Sequence, residues 1–467
     1  MSMTSQRECR TAQRLRPAAP VPHTRALTPV QVVREFGRNT VAAFGANAYR
    51  LRHVHAHSWI QDFFLVNDPE SIKHILLDNV TNYVKSRQIR RTVGPALGNG
   101  LFNAEGPSWR FQRRTAAPMF QARHIAQFAP AMAAAAQEAL ARWETMPDGA
   151  EIDAAEAMMR LTYDIILRTM FSSDVTMQYD AMAKAFATYL ETIGHIDVLT
   201  TLGLPMWVPT PERIRGRATV RFLRGELEGV IARRRERIAR DLEAAPDDLL
   251  TLLLTTRDPE GGALFGEREV FDNVLTFMFA GHETTANALA WTLYLLSQFP
   301  DADGRVAAEA QAQHEDSFSA GNLGGLVYAR MVLEEAMRLY PPAPIISRDS
   351  VAADTVSGIA IRPGTAVMIS PWVLHRHQTL WEDPEYFDPE RFAPGRREKI
   401  HRFAYLPFGA GPRICIGMGF AMQEALIVLA SMMRRFRLEL VPGFAVEPHA
   451  RLTLRPRNGL RMRVWRR

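Results

Sequence analysis

Cysteine is nearly absent from this chain, since only Cys9 and Cys415 occur among its 467 residues. The two lie far apart in the sequence, which argues against a disulfide framework and favours a reducing compartment. Metal-ligand spacing is missing as well, because no paired cysteines or histidines stand at the intervals of a zinc site. His375 and His377 are close together but have no cysteine near them, and we interpret both as surface or structural residues.

Long hydrophobic runs are also missing. No stretch of about 18 apolar residues opens the chain, so we expect no membrane anchor. A hydrophobic content of 47% together with 23% charged residues is typical of a soluble globular protein, which we expect to be cytoplasmic.

The basic excess is small and dispersed. Lysine and arginine number 56 against 50 acidic residues, which gives a net charge of +6. The arginines are spread along the chain without an aromatic-and-basic module, so we expect no nucleic-acid partner. Residues 1–24 are rich in arginine and proline and are predicted to form a basic, disordered tail, with a transit peptide as the alternative. We assign residues 25–467 to one domain.

The segment Phe408–Gly417 places the second cysteine in a glycine-rich loop, and a mostly apolar run follows it from Met418 to Met433. Glycine permits tight turns and close backbone approach, and the free N–H groups of such a loop favour an anionic sulfur. Two interpretations are open. The cysteine is either a buried structural residue before a core helix or a thiolate ligand that donates electron density to a haem iron.

Five residues of this loop favour the second interpretation, because Phe408, Gly411, Arg413, Cys415 and Gly417 fall in the register F-x-x-G-x-R-x-C-x-G. That register resembles the signature of the cytochromes P450, the haem-thiolate monooxygenases. The resemblance implies that Cys415 is the axial ligand of a haem b group and that the loop cradles this group. It also implies a mainly α fold with a smaller β region, in which the haem lies between a long distal helix and the helix after the cysteine loop.

A helical pattern runs from about residue 267 to 299, and its middle, residues 280–285, reads A-G-H-E-T-T. Glycine and threonine are poor helix formers, so they indicate function or strain at this point. A threonine hydroxyl can bond the carbonyl four residues back and loosen the helix. The segment resembles the family's distal motif A-G-x-E-T-T. That resemblance assigns proton relay to Glu283 and Thr284, and haem contact to Ala280 and Gly281.

Trp109 and Arg113 are four residues apart in a helix predicted to begin near Pro107, so they share one helical face. The pair is compatible with a packed tryptophan beside a solvated arginine. It also resembles the family's W-x-x-x-R pair, which binds a haem propionate, a task that suits the planar fork of arginine. By the same resemblance, Arg348 and Arg413 meet propionates.

Glu335 and Arg338 are three residues apart on one helix, and as an exposed pair they would contribute under about 1 kcal/mol. The E-x-x-R pattern, and the later P-E-R-F that contains Arg391, instead resemble the family's buried structural network. The resemblance also gives the walls of a substrate pocket: Phe102, Phe277, Met278, Ala280, Ile345, Ile346 and Leu452. These walls are mostly bulky and apolar, which suits an apolar substrate.

These motifs together predict a monooxygenase that inserts one oxygen atom of O2 into a lipid-, terpene- or steroid-like substrate. No flavin or iron–sulfur segment follows Arg467, so we expect electrons from a separate ferredoxin or flavodoxin with its reductase. Two rivals stay open: a family member that isomerises its substrate or uses peroxide, and a haem carrier or sensor without turnover. The intact pair of Glu283 and Thr284 weighs against the first rival, and product formation with a reducing system separates the second.

Local patterns predict four further elements. Residues 63–66 are predicted to form a strand that leads into a helix, and residues 94–100, rich in glycine, are predicted to form a loop. The arginines of residues 231–240 are interpreted as the solvated face of an amphipathic helix. Residues 359–369 alternate around a Pro-Gly turn, which predicts a β-hairpin.

Overall fold

A computed structural model describes residues 15–25, 27–56, 61–172, 185 and 211–467. This part of the chain is mainly helical with a smaller β region, as the sequence predicts. No helix in it combines the length with the hydropathy that crossing a membrane requires.

The helices carry most of the described chain. In chain order they are α1 Pro29–Arg38, α2 Pro69–Lys73, α3 Arg87–Leu97, α4 Gly106–Ala116, α5 Ala122–Gln127, α6 Ala129–Glu144, α7 Ala154–Phe171, α8 Pro211–Arg240, α9 Leu249–Thr255, α10 Glu267–Gln298, α11 Pro300–Ala312, α12 Glu315–Ser319, α13 Val327–Leu339, α14 Pro371–Leu374 and α15 Met418–Met433. We call α10 the long helix; most of its residues are buried, so it forms the axis of the core.

The strands are short and form small sheets. In chain order they are β1 His53–Ala56, β2 Phe63–Val66, β3 Tyr83–Lys85, β4 Ala150–Asp153, β5 Ile346–Ser350, β6 Asp354–Val356, β7 Ile359–Ile361, β8 Ala366–Ile369, β9 Phe436–Leu440, β10 Pro448–Ala450, β11 Leu454–Pro456 and β12 Arg461–Arg466. The largest sheet has the order β1-β2-β8-β5-β3, so it joins N-terminal strands to strands from the second half of the chain.

The hairpin predicted over residues 359–369 is wrong in its pairing. β7 pairs with β6 around Ser357 and Gly358, whose φ angles of 48° and 79° suit a tight hairpin turn. β8 pairs with β2 and β5 instead. The predicted Pro-Gly turn is bonded to β5, because the N–H of Gly364 donates to the carbonyl of Ser350 at 2.8 Å. These backbone bonds place β8 in the main sheet.

The loop predicted over residues 94–100 is also wrong in part, because α3 continues to Leu97 and includes Gly94 and Pro95. The hydroxyl of Ser86 caps this helix by accepting from the N–H of Ile89 at 3.2 Å. Proline lies near the C-terminal end, where it removes only one hydrogen-bond donor. Fully buried apolar side chains of α3 pack into the core and outweigh that loss.

The arginine-rich stretch of α8 is not solvated throughout, as the sequence had suggested. Arg234 is buried and forms an ion pair with Asp248. It also donates to the hydroxyl of Thr251 at 2.7 Å and to the carbonyl of Phe171 at 3.0 Å. A buried arginine is tolerated here because a carboxylate and two oxygens accept its donors. Arg233 and Arg237 are exposed, as predicted for a solvated face.

The predicted N-terminal tail, residues 1–24, is described only from residue 15 onward. The N–H of Ala18 donates to the hydroxyl of Tyr294 at 3.1 Å, and its carbonyl accepts from the hydroxyl of Tyr340 at 2.8 Å. The backbone around Ala18 therefore contacts the long helix and the residue that follows α13. Residues 1–14 lie outside the described residues, and the division of the chain after residue 24 stays a prediction.

A buried ionic network links α13 to the segment before the cysteine loop. Arg338 donates from Nε to Glu335 Oε2 at 2.6 Å, and both side chains have 0% exposure. Arg391 Nε lies 3.5 Å from Glu335 Oε1. Arg338 also donates to the carbonyl groups of His375 and Pro384, at 2.7 Å each. One carboxylate therefore faces two arginines away from solvent, unlike an exposed surface pair.

Replacing Glu335 by alanine is expected to lower the free energy of unfolding by about 3–5 kcal/mol, because it leaves buried arginines without their counter-charge. Chemical denaturation followed by circular dichroism measures this loss. The matched control is Glu390→Ala, since Glu390 pairs with Arg305 at 2.8 Å and both side chains are exposed. The control is expected to cost under about 1 kcal/mol. Equal losses in the two variants would contradict a structural role for Glu335.

Candidate functional site

The cysteine loop, Phe408–Gly417, is held by its own backbone. The N–H of Cys415 donates to the carbonyl of Phe408 at 2.9 Å, which closes the loop just before α15. Gly411 has a φ of 71°, a conformation that costs other residues free energy. A Cβ atom at this position would also overlap the carbonyl oxygen of Leu76. The glycine therefore lets the loop contact the backbone of residues 74–78.

The thiol of Cys415 is accessible to solvent. Desolvation by the surrounding protein nevertheless raises the pKa of this thiol, while the N–H of Gly417, which donates to the sulfur, and the charge of Arg113 lower it. An accessible atom that is still desolvated faces an internal space rather than the outer surface. A cation or metal ion brought to this space would favour the thiolate, the form in which cysteine acts as a ligand.

Arg413, two residues before the cysteine, is held by residues at the start of α4. Its guanidinium carbon lies 4.4 Å from the centre of the Trp109 ring, within cation–π distance. It donates to the carbonyl of Ala104 at 3.0 Å and forms an ion pair with Glu105. The second oxygen of Glu105 accepts from the N–H of Lys85 at 3.0 Å. Glu105 thus ties the cysteine loop to β3.

Two further cations lie side by side in the main sheet. Lys85 of β3 is the register partner of Arg348 in β5. Lys85 donates to the carbonyl of Phe102, and its Nζ lies 3.6 Å from the centre of the Phe102 ring. Desolvation, and then the charges of Arg348 and Arg413, lower the pKa of Lys85 well below its usual range. Desolvation and Arg413 lower the pKa of Arg348 to about 10.

Lys85, Arg348 and Arg413 form what we call the cation cluster, and Glu105 is the carboxylate whose charge acts on all of them. Three basic side chains therefore face one carboxylate in a desolvated place. Arg348 Nε is buried and has no hydrogen-bond partner among the described residues. Buried charges require partners, so the cluster is built to receive anionic groups such as carboxylates.

The middle of the long helix has the loosened geometry that its composition predicts. The hydroxyl of Thr284 donates to the carbonyl of Ala280 at 2.8 Å, and that of Thr285 donates to the carbonyl of Gly281 at 3.1 Å. Ala280 is exposed although Phe279 before it is buried. A Cβ at position 281 would lie only 3.0 Å from a methyl group of Ile166, so glycine permits the close approach of α7.

Glu283 points to a different neighbour from Thr284. Its carboxylate is 3% exposed, and its Oε1 accepts from the hydroxyl of Thr453 at 2.6 Å. Desolvation raises the pKa of Glu283, while the Thr453 hydroxyl and the charge of Arg455 lower it. The two predicted relay residues are adjacent in sequence, but their side chains have different hydrogen-bond partners. Thr284 bonds the backbone of its own helix, whereas Glu283 bonds Thr453.

A second buried carboxylate, Glu424, lies on α15 behind the cysteine loop. It is 1% exposed, and desolvation raises its pKa well above the usual range, while the nearby hydroxyl of Thr285 lowers it. This contact joins α15 to the long helix one residue beyond Thr284. Sequence reasoning missed Glu424 because it lies outside the motifs, although a glutamate in an apolar helix was a signal that could have found it.

Lys85, Glu105 and Thr453 were missed for a related reason. Each lies in a short strand, a loop or a turn, outside the signature motifs. Their importance depends on contacts with residues distant in sequence.

The predicted pocket residues lie in several parts of the core. Phe277 is buried and packs edge-on against Phe120, with ring centres 5.3 Å apart, and Phe120 lies beside Gly417. Ile345 packs against the main core, whereas Ile346 packs against a second cluster around the main sheet. Met278 is fully buried, and Phe102 and Leu452 are partly buried against the main core.

Comparison with known proteins identifies the family. The family model for cytochrome P450 matches residues 54–462, and the chain belongs to the cytochrome P450 family. Pentalenene oxygenase of Streptomyces avermitilis is 33% identical over 377 residues, which cover 79% of this chain and 80% of that protein. Cyclooctat-9-en-7-ol 5-monooxygenase of Streptomyces melanosporofaciens is 34% identical over 387 residues, 81% of each chain.

A solved structure agrees with this assignment. The crystal structure of the cytochrome P450DA haem domain superposes with a TM-score of 0.83 at 26% identity, over 97% of this chain and 98% of that one. The predicted fold class and family are therefore confirmed. The chain is a P450 monooxygenase, an oxidoreductase, and its family implies haem, O2 and a redox partner.

The residues present fit a haem group. The accessible thiol of Cys415 is a suitable iron ligand, and the cation cluster has more basic side chains than carboxylates, which suits the propionates of haem. No group of three or more histidine, cysteine or acidic residues in the described ranges offers a separate metal site. The chemistry of the donors therefore agrees with a single haem-thiolate centre.

Proposed function

We propose that this chain is a haem b monooxygenase that inserts one oxygen atom of O2 into an apolar, terpene-like substrate. The observation that carries the proposal is the accessible yet desolvated thiol of Cys415, beside a cation cluster with uncompensated charge. Electrons come from a separate ferredoxin or flavodoxin with its reductase. We propose a cytoplasmic location for this reaction.

The residues that hold the haem come from both halves of the chain. Cys415 would supply the thiolate that binds the haem iron. The residues that would meet the propionates are Trp109, Arg113, Arg348, Arg413 and, newly added, Lys85. Phe408 and Gly417 would flank the thiolate, while Ala280 and Gly281 would contact the haem from the long helix. When bound, the haem iron supplies the activation of oxygen.

The chain's own residues manage protons. Thr284 keeps its hydroxyl against the carbonyl of Ala280 in a part of the long helix that is accessible. Glu283 lies one residue away with a desolvated carboxyl, and desolvation favours the protonated form. We assign to Glu283 the storage of a proton and to Thr284 the orientation of the polar group that receives it. The buried surroundings of Glu283 exclude bulk water from its carboxyl.

The substrate proposal rests on pocket chemistry and on relatives. The pocket residues we propose are Phe102, Phe277, Ile345, Ile346 and Leu452. All are apolar, as in a pocket for a hydrocarbon skeleton. Two relatives are named for pentalenene and cyclooctat-9-en-7-ol, an alkene and an unsaturated alcohol. These names favour a terpene-like compound over a fatty acid or steroid, and spectral titration with all three classes compares them.

Turnover with isotopically labelled O2 tests the proposal. With a ferredoxin or flavodoxin system and a compound that binds, the product is expected to carry one labelled oxygen atom. Product that forms with hydrogen peroxide but not with reductant and O2 would favour the peroxide-using rival. Haem binding without product in either condition would favour a carrier or sensor.

The redox partner is expected to bind through charge. Arg110 on α4 is exposed and lies close in sequence to Arg113, whose charge reaches Cys415. Arg114, on the same helix, pairs with Asp258 and Glu260 and is largely compensated. We therefore expect Arg110, rather than Arg114, to contribute to a positive face for an acidic redox protein.

The association rate with such a protein is expected to fall about tenfold between low and high salt, because salt screens steering over a Debye length of about 10 Å at 0.1 M. Stopped-flow reduction at increasing ionic strength measures it. Arg110→Glu should lower the low-salt rate, while the matched control Arg240→Glu, at another exposed arginine, should not. A rate that is constant across salt concentrations would remove charge steering from the proposal.

A further inference from the structure

The turn between β10 and β11, residues 451–453, contacts the long helix at Glu283. The proposed function gives Thr453, which makes this contact, no role. The hydroxyl of Thr453 donates to Glu283 Oε1 at 2.6 Å. Two helical turns further on, the indole N–H of Trp291 donates to the carbonyl of Leu454 at 3.1 Å. The chain around Thr453 is therefore bonded to the long helix at two places.

The backbone of this turn is fixed as well. The N–H of Arg451 donates to the carbonyl of Thr453 at 3.2 Å, and the N–H of Leu454 donates to the carbonyl of Pro342 at 3.0 Å. Backbone bonds on both sides leave Thr453 little freedom. Its hydroxyl can leave Glu283 only by a rotation about χ1, which is restricted for a β-branched residue, or by movement of the whole turn.

The two oxygens of the Glu283 carboxyl have different surroundings. Oε1 accepts from Thr453, while Oε2 is buried and has no hydrogen-bond partner among the described residues. A buried polar atom without a partner costs free energy, and such atoms cluster where a group must act. Thr453 therefore holds one oxygen and orients the other, which is the oxygen that can exchange a proton.

We propose that Thr453 is a positioning residue for the carboxyl of Glu283, and that the turn 451–453 makes this positioning sensitive to substrate. The inference rests on the proton role of Glu283 proposed above. Leu452, a proposed pocket residue, lies in the same turn, directly before Thr453. A substrate that displaces Leu452 therefore also displaces the hydroxyl that orients Glu283. Substrates that leave the turn in place receive protons efficiently, and those that move it divert reductant to hydrogen peroxide.

Thr453→Val tests the positioning, because valine keeps the shape of threonine and removes the hydroxyl. In the haem-loaded protein, the ratio of product to reductant consumed is expected to fall about 2- to 10-fold, the range of one hydrogen bond. The infrared carboxyl band of Glu283, identified by its loss in Glu283→Gln, is expected to shift. Thr453→Ser should restore both the ratio and the band.

Thr292→Val is the matched control. Thr292 is buried on the same helix, and its hydroxyl donates to the carbonyl of Ala288 at 2.7 Å, away from the Glu283 carboxyl. This variant should change neither the ratio nor the band. Haem content is measured first, and Thr453→Ala replaces the valine variant if valine prevents haem binding.

A double-mutant cycle tests the link to substrate. Leu452→Ala should change the ratio when Thr453 is present and should have no further effect in Thr453→Val. Additive effects of the two changes would overturn the link.

The remaining outcomes separate this inference from the proposed function. If Glu283→Gln lowers the ratio and Thr453→Val changes neither the ratio nor the band, the positioning role is overturned and the proton role stands. If Glu283→Gln leaves the ratio unchanged, the proton role fails and the inference fails with it.

Discussion

Replacing Cys415 by serine is expected to abolish the red-shifted Soret band that the reduced protein gives with carbon monoxide. This band reports a thiolate ligand on haem iron, and Cys415 is the cysteine of the loop. The cation cluster is unaffected by the substitution, so part of the haem should still bind. Difference spectra of the reduced protein, normalised to haem content, measure the loss.

Cys9→Ser is the matched control, because it removes the only other cysteine of the chain and should leave the band unchanged. A band that survives in Cys415→Ser would show that another group ligates the iron. Loss of the band in both variants would point to damage unrelated to the ligand.

The second large effect is expected from Thr284→Ala. The change removes one hydroxyl, which bonds the helix carbonyl of Ala280 at 2.8 Å. Haem and substrate binding should be nearly unchanged, because the thiolate and the cation cluster lie elsewhere. Assistance by positioned acid–base groups typically contributes about 10²- to 10⁴-fold, so product should fall strongly while reductant is still consumed. The missing product should be accounted for as hydrogen peroxide.

Thr276→Ala is the matched control for this prediction. Thr276 is buried on the long helix and, like Thr284, donates to the carbonyl four residues back, at 2.7 Å. Its loss should leave the ratio of product to reductant unchanged. An unchanged ratio in Thr284→Ala would direct attention to Thr285, whose hydroxyl lies near the buried carboxyl of Glu424.

The elements predicted best from the sequence were those governed by local chemistry. The helix predicted from about residue 267 to 299 is observed as Glu267–Gln298, because its apolar pattern is long and its flanks are clear. The strand at residues 63–66 and the helix that follows it also agree with the structure. In each case the signal lies within about one element length, where propensity and capping act directly.

The errors came from tertiary contacts. Pro95 would end an isolated helix, but buried neighbours keep α3 helical to Leu97. The sequence predicts a solvated Arg234. In the structure this side chain is buried, because Asp248, the N-cap residue of α9, forms an ion pair with it. The strand Ala366–Ile369 looked like half of a hairpin, and it pairs instead with strands distant in sequence. Local patterns carry no information about such partners.

In the candidate site, too, residues with a local sequence signal were predicted, and residues defined by tertiary contacts were not. Motif residues such as Cys415 and Thr284 could be named from the sequence because their spacing is distinctive. Lys85, Glu105 and Thr453 could not, because their roles arise from one contact each with a distant element. A strand register, an ion pair and a turn-to-helix hydrogen bond bring them to the site.

The contact of Gly411 with the carbonyl of Leu76 has a consequence for the order of events during synthesis. The ribosome delivers the N-terminal part of a protein first, at about 5–20 residues per second. The surface around Leu76 and the cation of Lys85 are therefore made long before the loop that carries the sulfur. A nascent chain that still lacks this loop contains Leu76 and Lys85 but not Cys415, the proposed iron ligand. The proposed ligation of haem by Cys415 can therefore begin only after residues 408–417 have been synthesised.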